Sequence, residues 1–201
     1  MNQSNLSYRN EVVAGIDEAG RGSLAGPVVA SAVILDSNEL IEGLSDSKKI
    51  SQKKRYELEI QIKKKSLAWS VGWVSSKVID KINILQASML AMRRAIMNLT
   101  IKPNKILVDG NCLPNLNFDG ELIPGEAIIG GDDKILSISA ASILAKTARD
   151  RMMIEIDEIF PIYEFAKHKG YGTKKHFSKL CEFGSCSEHR QSFAPMRDLN
   201  K

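Results

Sequence analysis

Short apolar runs predict three strands in the first part of the chain. Val12 to Asp17 is a buried apolar run, and Val28 to Leu35 is a second one rich in β-branched side chains. Only a short glycine-rich turn separates these runs, so we predict a hairpin rather than a crossover connection. Leu67 to Val74 alternates like a half-buried strand, with Trp69 and Trp73 on one face. The pattern therefore predicts a hairpin and then a third strand.

Helix patterns alternate with strand patterns along the rest of the chain. The clearest helix lies at about Asn83 to Leu99, where apolar side chains recur at helical spacing. We also predict helices at Ser51 to Lys65, Ser137 to Phe160 and Thr173 to Phe183, and strands at Lys105 to Asp109 and Glu126 to Ile129. This order indicates an α/β fold. Because no linker or repeat divides the chain, we predict a single domain over residues 1–201, with a flexible segment of about ten residues at its N-terminus.

Composition and charge limit the classes of function. The chain has 201 residues, 43% of them hydrophobic and 26% charged, as in ordinary globular proteins, and no apolar run is long enough to span a bilayer. Its net charge of +4 is concentrated in lysine clusters, which suit a polyanionic substrate, although solvated helix faces give the same pattern. The lack of a targeting signal and the odd number of cysteines indicate the cytoplasm. His176, Cys181, Cys186 and His189 fit no familiar zinc spacing, so we expect them to be structural.

Acidic residues follow three of the predicted strands. Asp17 and Glu18 end the first strand, Asp109 ends another, and Asp132 comes shortly after the strand at Glu126 to Ile129. Strand ends are where distant residues of an α/β sheet converge, and oxygen ligands without histidine or cysteine select Mg²⁺ or Mn²⁺. Two such ions about 4 Å apart would support in-line hydrolysis of a phosphodiester. The pattern therefore predicts a metal site that acts on a phosphate ester.

The pair Asp17 and Glu18 places a condition on the first strand. Neighbouring side chains of a regular strand point to opposite faces, so both carboxylates reach metal only if the strand breaks there. Gly20 and Gly22 supply the backbone freedom for such a break, and we therefore predict one. The alternative is that some of these acids are turn residues or helix caps, which is the usual role of an isolated Asp-Gly pair.

Six motifs together resemble one enzyme family. The first is the run from Asp17 to Pro27, with the sequence Asp-Glu-Ala-Gly-Arg-Gly-Ser-Leu-Ala-Gly-Pro. The others, in chain order, are Asp46-Ser47-Lys48-Lys49, Val108-Asp109-Gly110, Ser139 to Lys146, His168 to Thr173 and His189 to Pro195. This series resembles type 2 ribonuclease H, the bacterial ribonuclease HII, over roughly residues 11 to 197. The resemblance implies a ribonuclease H-like fold, with a mixed central sheet flanked by helices and a small helical C-terminal region.

The resemblance also implies an activity. It implies an endonuclease that hydrolyses the RNA strand of RNA–DNA hybrids with Mn²⁺ or Mg²⁺. It further implies incision 5′ of single ribonucleotides embedded in duplex DNA, which leaves 3′-hydroxyl and 5′-phosphate ends. No motif specifies a replication or repair partner, and a monomer is the default expectation.

The resemblance assigns four acids to metal binding and catalysis. They are Asp17, Glu18, Asp109 and Asp132. The fourth assignment rests on its spacing to the Ala140 to Ser142 stretch, because Asp133 follows directly and a shift of one residue redirects the side chain. Asp150 is another acid near this region by the same resemblance. We expect it to form a salt bridge to Arg149, Arg151 or a distant lysine.

The remaining candidate residues would contact the substrate. Gly20-Arg21-Gly22 matches a family motif that recognises the ribose 2′-hydroxyl, largely through backbone groups. Tyr171 matches a tyrosine that packs against the neighbouring deoxyribose. Lys48, Lys169 and Lys174 are expected to contact phosphates, which sets the register on the duplex without base specificity.

Two functions of other classes compete with a nuclease. The turn from Gly20 to Gly26 resembles the dinucleotide-binding turn of an oxidoreductase, with Asp36 as the acid for the ribose. That motif needs a helix at its last glycine, whereas Pro27 and a β-branched run follow here. A noncatalytic hybrid-binding module would need only the basic clusters. Metal-dependent cleavage of a duplex with one embedded ribonucleotide separates the three functions.

Overall fold

The computed structural model of the protein describes residues 12–44, 50–194 and 196. The strands are β1 (Val13–Ala19), β2 (Val28–Leu35), β3 (Ser66–Val74), β4 (Lys105–Asp109), β5 (Asn117–Phe118), β6 (Glu121–Leu122) and β7 (Gly125–Ile128). The helices are α1 (Gln52–Lys65), α2 (Ser76–Met97), α3 (Leu136–Ile159), α4 (Phe165–His168) and α5 (Lys174–Phe183). The N-terminal segment predicted to be flexible, Lys48 and the rest of its motif lie outside the described residues.

A mixed five-stranded sheet organises these elements, in the order β3-β2-β1-β4-β7. The predicted hairpin is confirmed, because β1 and β2 pair antiparallel from Gly15 opposite Val33 to Ala19 opposite Val29. β3 extends this meander, whereas β4 pairs parallel to β1 and β7 pairs parallel to β4. The ends of β1 and β4, which carry acids, therefore lie side by side at one edge of the sheet.

Helices cover both faces of the sheet. Ala32 of β2 belongs to a core that it shares with Met92 of α2. Val33, the next residue, points the other way and packs with Leu144 of α3 and Leu58 of α1. The alternation of strand side chains thus divides the core into two layers around the sheet.

The face of β1 under α3 carries the first candidate acid. A Cβ atom at Gly15 would lie 2.2 Å from the main-chain carbon of Ser137, so only glycine permits this approach of helix to strand. Asp17 lies two residues further along β1 and on the same face. The close packing at Gly15 therefore brings α3 over Asp17.

Apart from the start of α2, the predicted boundaries of the four helices and of the five predicted strands hold to within two residues, as is usual for such ends. Caps define three of these ends. The Ser51 and Thr173 hydroxyls accept hydrogen bonds from the main-chain N–H groups of Lys54 and His176, and Gly184 ends α5 with φ 71°. Local side-chain chemistry therefore sets where α1 and α5 begin and where α5 ends.

The start of α2 differs from its prediction. The helix begins at Ser76, seven residues before the predicted start at Asn83. Asn83 interrupts it with φ 65° and ψ 166°, and its side chain accepts the Gln86 N–H at 3.1 Å, as an N-cap does. The prediction thus identified the cap of the second helical segment. It missed the first segment, which is too short for an independent periodic signal and is held by the burial of Ile79.

Several short elements were not predicted. The loop after β4 contains the two-residue strands β5 and β6, and the segment before α5 contains α4. Short 3-10 turns lie at Gly131–Asp133 and Pro161–Tyr163. Elements of two to four residues are too short to show hydrophobic periodicity. None of the described helices has both the length and the apolarity needed to cross a membrane.

Candidate active site

The predicted break in β1 is wrong. The ladder to β2 continues through Asp17 opposite Ser31 and Glu18 opposite Ala30, and it ends at Ala19. The two carboxylates therefore keep the normal alternation and leave opposite faces of the strand. Both nevertheless interact electrostatically with the Asp109 carboxylate, so the alternation at the last residues of β1 does not separate either acid from the site.

Asp17 is buried beneath α3, with 6% of its surface exposed. Its Oδ1 atom accepts the main-chain N–H of Glu18 at 2.7 Å, and the Ser142 hydroxyl of α3 donates a second hydrogen bond to its carboxylate. Burial raises the pKa of Asp17 to about 7; the two hydrogen bonds oppose this shift, and the Glu18 and Asp109 carboxylates add to it. Negative charge at Asp17 is therefore costly without a cation.

Glu18 shares this electrostatic environment. Burial is the largest cause that raises its pKa, and the Asp109 carboxylate adds to the effect. The Arg21 guanidinium donates to Glu18 Oε1 at 3.1 Å and acts in the opposite direction. The first residues after β1 thus supply a partial counterion to the acids at its end.

Asp109 lies at the end of β4, beside Asp17. Ile16 pairs with Val108, so the residues that follow them come next to each other at the edge of the sheet. Asp109 Oδ1 accepts the main-chain N–H of Gly131 at 2.7 Å, which ties β4 to the 3-10 turn after β7. The parallel pairing of β1 and β4 therefore brings Asp17 and Asp109 together, as their positions at strand ends predicted.

Asp132 follows Gly131 in this turn and is buried, with 6% of its surface exposed, whereas Asp133 is exposed. Burial of the first of the two adjacent acids supports the choice of Asp132 by spacing.

Asp150 forms the salt bridge that we expected, but its partner is Arg55 of α1, with 3.7 Å between Nη2 and Oδ2. It is neither Arg149, Arg151 nor a lysine, because α1 packs along α3 at that point.

The donor set suits a hard divalent cation. Asp17, Glu18, Asp109 and Asp132 offer only oxygen atoms, which are the ligands that Mg²⁺ and Mn²⁺ prefer. The raised pKa values of Asp17 and Glu18 mark unbalanced negative charge that such a cation would neutralise. Within the described residues, no three carboxylate, imidazole or thiol groups already form a cage for a metal ion.

A glycine-rich turn begins directly after β1. Arg21 and Gly22 are exposed at its tip, and Gly20 has φ 93°, a backbone conformation that favours glycine. Among the described residues, the main-chain N–H groups of Arg21 and Gly22 have no hydrogen-bond acceptor. The tip therefore presents two main-chain donors to solvent beside the acids.

Tyr171 lies on a loop that packs against this turn. The Leu24 N–H donates to the Gly170 carbonyl at 2.8 Å, and a Cβ at Gly170 would lie 2.6 Å from the Ala25 carbonyl oxygen. The Tyr171 ring stays 46% exposed, and its main-chain carbonyl is hydrogen-bonded to His176 Nδ1 at 2.9 Å. An exposed aromatic ring is therefore held next to the glycine-rich turn.

The structure gives different surroundings to the predicted basic residues. The Lys169 ammonium donates to the Ala166 carbonyl of its own segment. Lys174 is exposed at the first residue of α5. Lys48 falls outside the described residues. Contact of these three lysines with phosphate stays a prediction.

Sequence reasoning missed three residues that shape this site. Ser142 donates to Asp17, and the buried Arg149 and Arg190 pack behind the glycine-rich turn. Ser142 interrupts the apolar run from Ala140 to Ala145 in α3, and a polar residue within such a run was the available signal. Arg149 has charged neighbours in the sequence, so the local pattern does not mark it as buried. Nothing in the local pattern marks Arg190 as buried.

The family model described as Ribonuclease HII matches residues 14–196. The chain belongs to the ribonuclease HII family. It is thus a ribonuclease H, a metal-dependent hydrolase that cleaves the RNA strand of RNA–DNA hybrids. The predicted type 2 ribonuclease H identity is confirmed.

Solved structures of three related proteins have a fold similar to that of this chain. The ribonuclease H2 from Pyrococcus horikoshii OT3 is 27% identical over 93% of this chain and 96% of that chain, with a TM-score of 0.74. The RNase HII of Archaeoglobus fulgidus, solved as a complex with PCNA, is 29% identical over 90% and 95%, with a TM-score of 0.76. Bst-RNase HIII, solved with Mn²⁺, shares the fold at 15% identity, with a TM-score of 0.70 over 99% and 73% of the two chains. The predicted α/β architecture of a mixed sheet flanked by helices is confirmed.

Proposed function

We propose that this ribonuclease H incises duplex DNA on the 5′ side of single embedded ribonucleotides, in addition to cutting longer hybrids. The products would carry 3′-hydroxyl and 5′-phosphate ends. The proposal rests on two features that lie within six consecutive residues, Asp17 to Gly22. The buried Asp17 and the partly buried Glu18 run directly into a turn whose tip carries two main-chain N–H groups that have no acceptor among the described residues.

The acids would hold two divalent ions, Mg²⁺ or Mn²⁺. Bound there, the ions would supply a nucleophile at neutral pH and stabilise charge on the attacking and leaving oxygens. Asp17, Glu18, Asp109 and Asp132 are the residues that would hold them. Ser142 and the Gly131 N–H orient two of these carboxylates through the hydrogen bonds described above.

The glycine-rich turn would recognise the ribose. A 2′-hydroxyl is the main local feature that separates RNA from DNA, and its oxygen accepts hydrogen bonds. The N–H groups of Arg21 and Gly22, which have no acceptor among the described residues, would donate to this oxygen. The Tyr171 ring would pack against the next sugar, where an additional hydroxyl would be crowded out. This arrangement would select an RNA–DNA junction.

The partners that we propose are RNA–DNA hybrids and ribonucleotide-containing duplex DNA, bound by a monomer that acts as one domain. The lysines would contribute phosphate contacts that are independent of base sequence. The relative from Archaeoglobus fulgidus was solved with PCNA, so a PCNA-like protein is a partner to test by pull-down with the full chain.

Cleavage of a DNA duplex with one embedded ribonucleotide tests the proposed function. We expect one cut 5′ of the ribonucleotide with Mg²⁺ or Mn²⁺, none with EDTA, and none in the all-DNA duplex. Extension of the product by a polymerase would establish a 3′-hydroxyl end at the cut. Resealing of the same cut by a ligase would establish the 5′-phosphate end. Tight hybrid binding without cleavage would instead support a noncatalytic module, and reduction of a nicotinamide cofactor would support an oxidoreductase.

Replacement of Tyr171 by alanine should weaken junction cleavage more than stability. The ring is 46% exposed, so its loss removes little core packing. Stacking of a base on an aromatic ring is worth about 1–3 kcal/mol, and a contact with the sugar of similar size would change kcat/KM by roughly 5- to 150-fold. The measurement is kcat/KM on the single-ribonucleotide duplex together with the melting temperature. Phe183→Ala removes a ring of matched exposure, 47%, and should leave kcat/KM unchanged. Equal losses of stability and activity in Tyr171→Ala would show that the ring is a core element.

A further inference from the structure

Two arginines are buried behind the glycine-rich turn, which is unusual for side chains with a permanent charge. Arg149 of α3 is 2% exposed, and Arg190 is fully buried. Among the described residues, neither forms a salt bridge, and their hydrogen-bond acceptors are all main-chain carbonyl oxygens. A buried cation is normally paired with an acid, so this arrangement needs a specific explanation.

Arg190 donates hydrogen bonds to main-chain carbonyls at both ends of the glycine-rich turn. Its Nη2 donates to the Gly20 carbonyl at 2.8 Å and to the Pro27 carbonyl at 3.1 Å. Its Nη1 donates to the Arg21 carbonyl at 3.0 Å, and its Nε donates to the Gly26 carbonyl, also at 3.0 Å. One guanidinium therefore closes the loop that connects β1 to β2.

Arg149 joins the same turn to the loop of Tyr171. It donates to the carbonyls of Pro27 at 3.0 Å and Ala25 at 3.1 Å, and to the Lys169 carbonyl at 2.9 Å. Its guanidinium carbon lies 5.6 Å from the centre of the Tyr171 ring. A Cβ at Gly20 would lie 2.0 Å from Arg149 Nε, so the turn rests directly on this side chain.

The two side chains determine which way the peptide groups of the turn face. Carbonyls of Gly20 and Arg21 point inward to Arg190, and because a peptide is planar, the N–H groups that follow them, on Arg21 and Gly22, point outward. The arrangement has a cost, since burial and then the neighbouring charge of Arg149 lower the pKa of Arg190 to about 9. Retaining two such cations behind a surface loop is hard to explain by core stability alone.

We infer that Arg149 and Arg190 are positioning residues for ribose recognition, which hold the N–H donors of Arg21 and Gly22 at a fixed distance from Tyr171. The inference rests on the proposed function of the same turn. Arginine is required because its planar fork reaches several carbonyls at once, whereas the ammonium of lysine is a compact point charge. Neither arginine contacts the reacting atoms in this role.

The test compares two substrates in the variants Arg149→Lys and Arg190→Lys. One duplex carries a single ribonucleotide, and the other carries a 2′-fluoro nucleotide at the same position. We expect the ratio of kcat/KM values, hydroxyl over fluoro, to fall about tenfold in each variant, the equivalent of one well-placed hydrogen bond. Both rates come from the same folded molecules, so partial unfolding lowers them equally and leaves the ratio unchanged.

Arg151→Met is the matched control. Arg151 lies on α3 two residues from Arg149 and pairs with Glu59, away from the turn, so its loss perturbs the same helix. Its substrate ratio should equal that of the wild type. Wild-type ratios in both lysine variants would overturn the inference, as would a loss of all cleavage together with the cooperative unfolding transition. If the wild-type protein does not cleave at the embedded ribonucleotide, the proposed function is overturned instead.

Discussion

Replacing Asp109 with asparagine is expected to lower kcat for hybrid cleavage by about 10³-fold while hybrid binding survives. The side chain would lose the charge that holds a metal ion, and such an ion stabilises the transition state by several kcal/mol, at 1.36 kcal/mol for each factor of ten in rate. Asparagine has the same shape and can still accept the Gly131 N–H through its amide oxygen. The fold should therefore persist. Single-turnover cleavage and a binding titration on the same hybrid measure the two effects separately.

Asp132 and Asp133 provide an internal comparison for this prediction. Asp132→Asn should lose activity to a similar extent, because Asp132 is buried next to the residue that contacts Asp109. Asp133→Asn should remain within about twofold of the wild type, since its side chain is exposed one position further on. Full cleavage by Asp109→Asn would show that Asp109 is not needed to bind the metal ion. If only the Asp133 variant were inactive, the fourth metal-binding acid would be Asp133 and not Asp132.

Replacing Asp17 with asparagine is expected to stabilise the metal-free protein at pH 8 by about 2 to 4 kcal/mol while it abolishes cleavage. The pKa of Asp17 rises from 3.8 to about 7 on folding, chiefly through burial. Between these values the unfolded chain gives up a proton that the folded protein retains, so the free energy of unfolding falls as the pH rises. At about 1.36 kcal/mol for each pKa unit, the cost reaches its full size near pH 7. Asparagine does not ionise and avoids that cost.

Urea unfolding of both proteins in EDTA between pH 4 and 8 measures this effect. The two curves of stability against pH should meet near pH 4, separate between pH 4 and 7, and run parallel above. Asp133→Asn should follow the wild type throughout. Added Mn²⁺ should then stabilise the wild type more than Asp17→Asn, because a ligand that binds only the folded state raises its stability. A variant less stable than the wild type at pH 8 would mean that the Ser142 and Glu18 hydrogen bonds outweigh the cost of burying charge.

Much of the site was predictable because its residues are adjacent in the chain or end neighbouring strands. Short apolar runs identified β1 and β2, and the short turn between them predicted their antiparallel pairing. Asp109 follows an apolar run, so its place at a strand end was readable as well. Convergence with Asp17 then required only that β1 and β4 be parallel neighbours, which they are.

Other features of the site depend on contacts that leave no local pattern. We expected β1 to break at Asp17 and Glu18, but its pairing with β2 continues past both residues to Ala19 opposite Val29. Asn83 caps a second helical segment in α2, while the first segment is helical because Ile79 is buried in the core. The partner of Asp150 was misjudged because only packing decides that α1 lies beside α3.

By itself, the sequence determined the identity and order of the acids, the glycines of the turn, and through six motifs the ribonuclease HII family. These properties are local, because carboxylate chemistry and the backbone freedom of glycine belong to single residues. Only the tertiary structure decided that Asp17 is buried, and that Arg149 and Arg190 bind the carbonyls behind the turn. Burial depends on the packing of α3 over β1, and main-chain carbonyls are the same in every residue, so neither can be inferred from neighbouring residues along the chain.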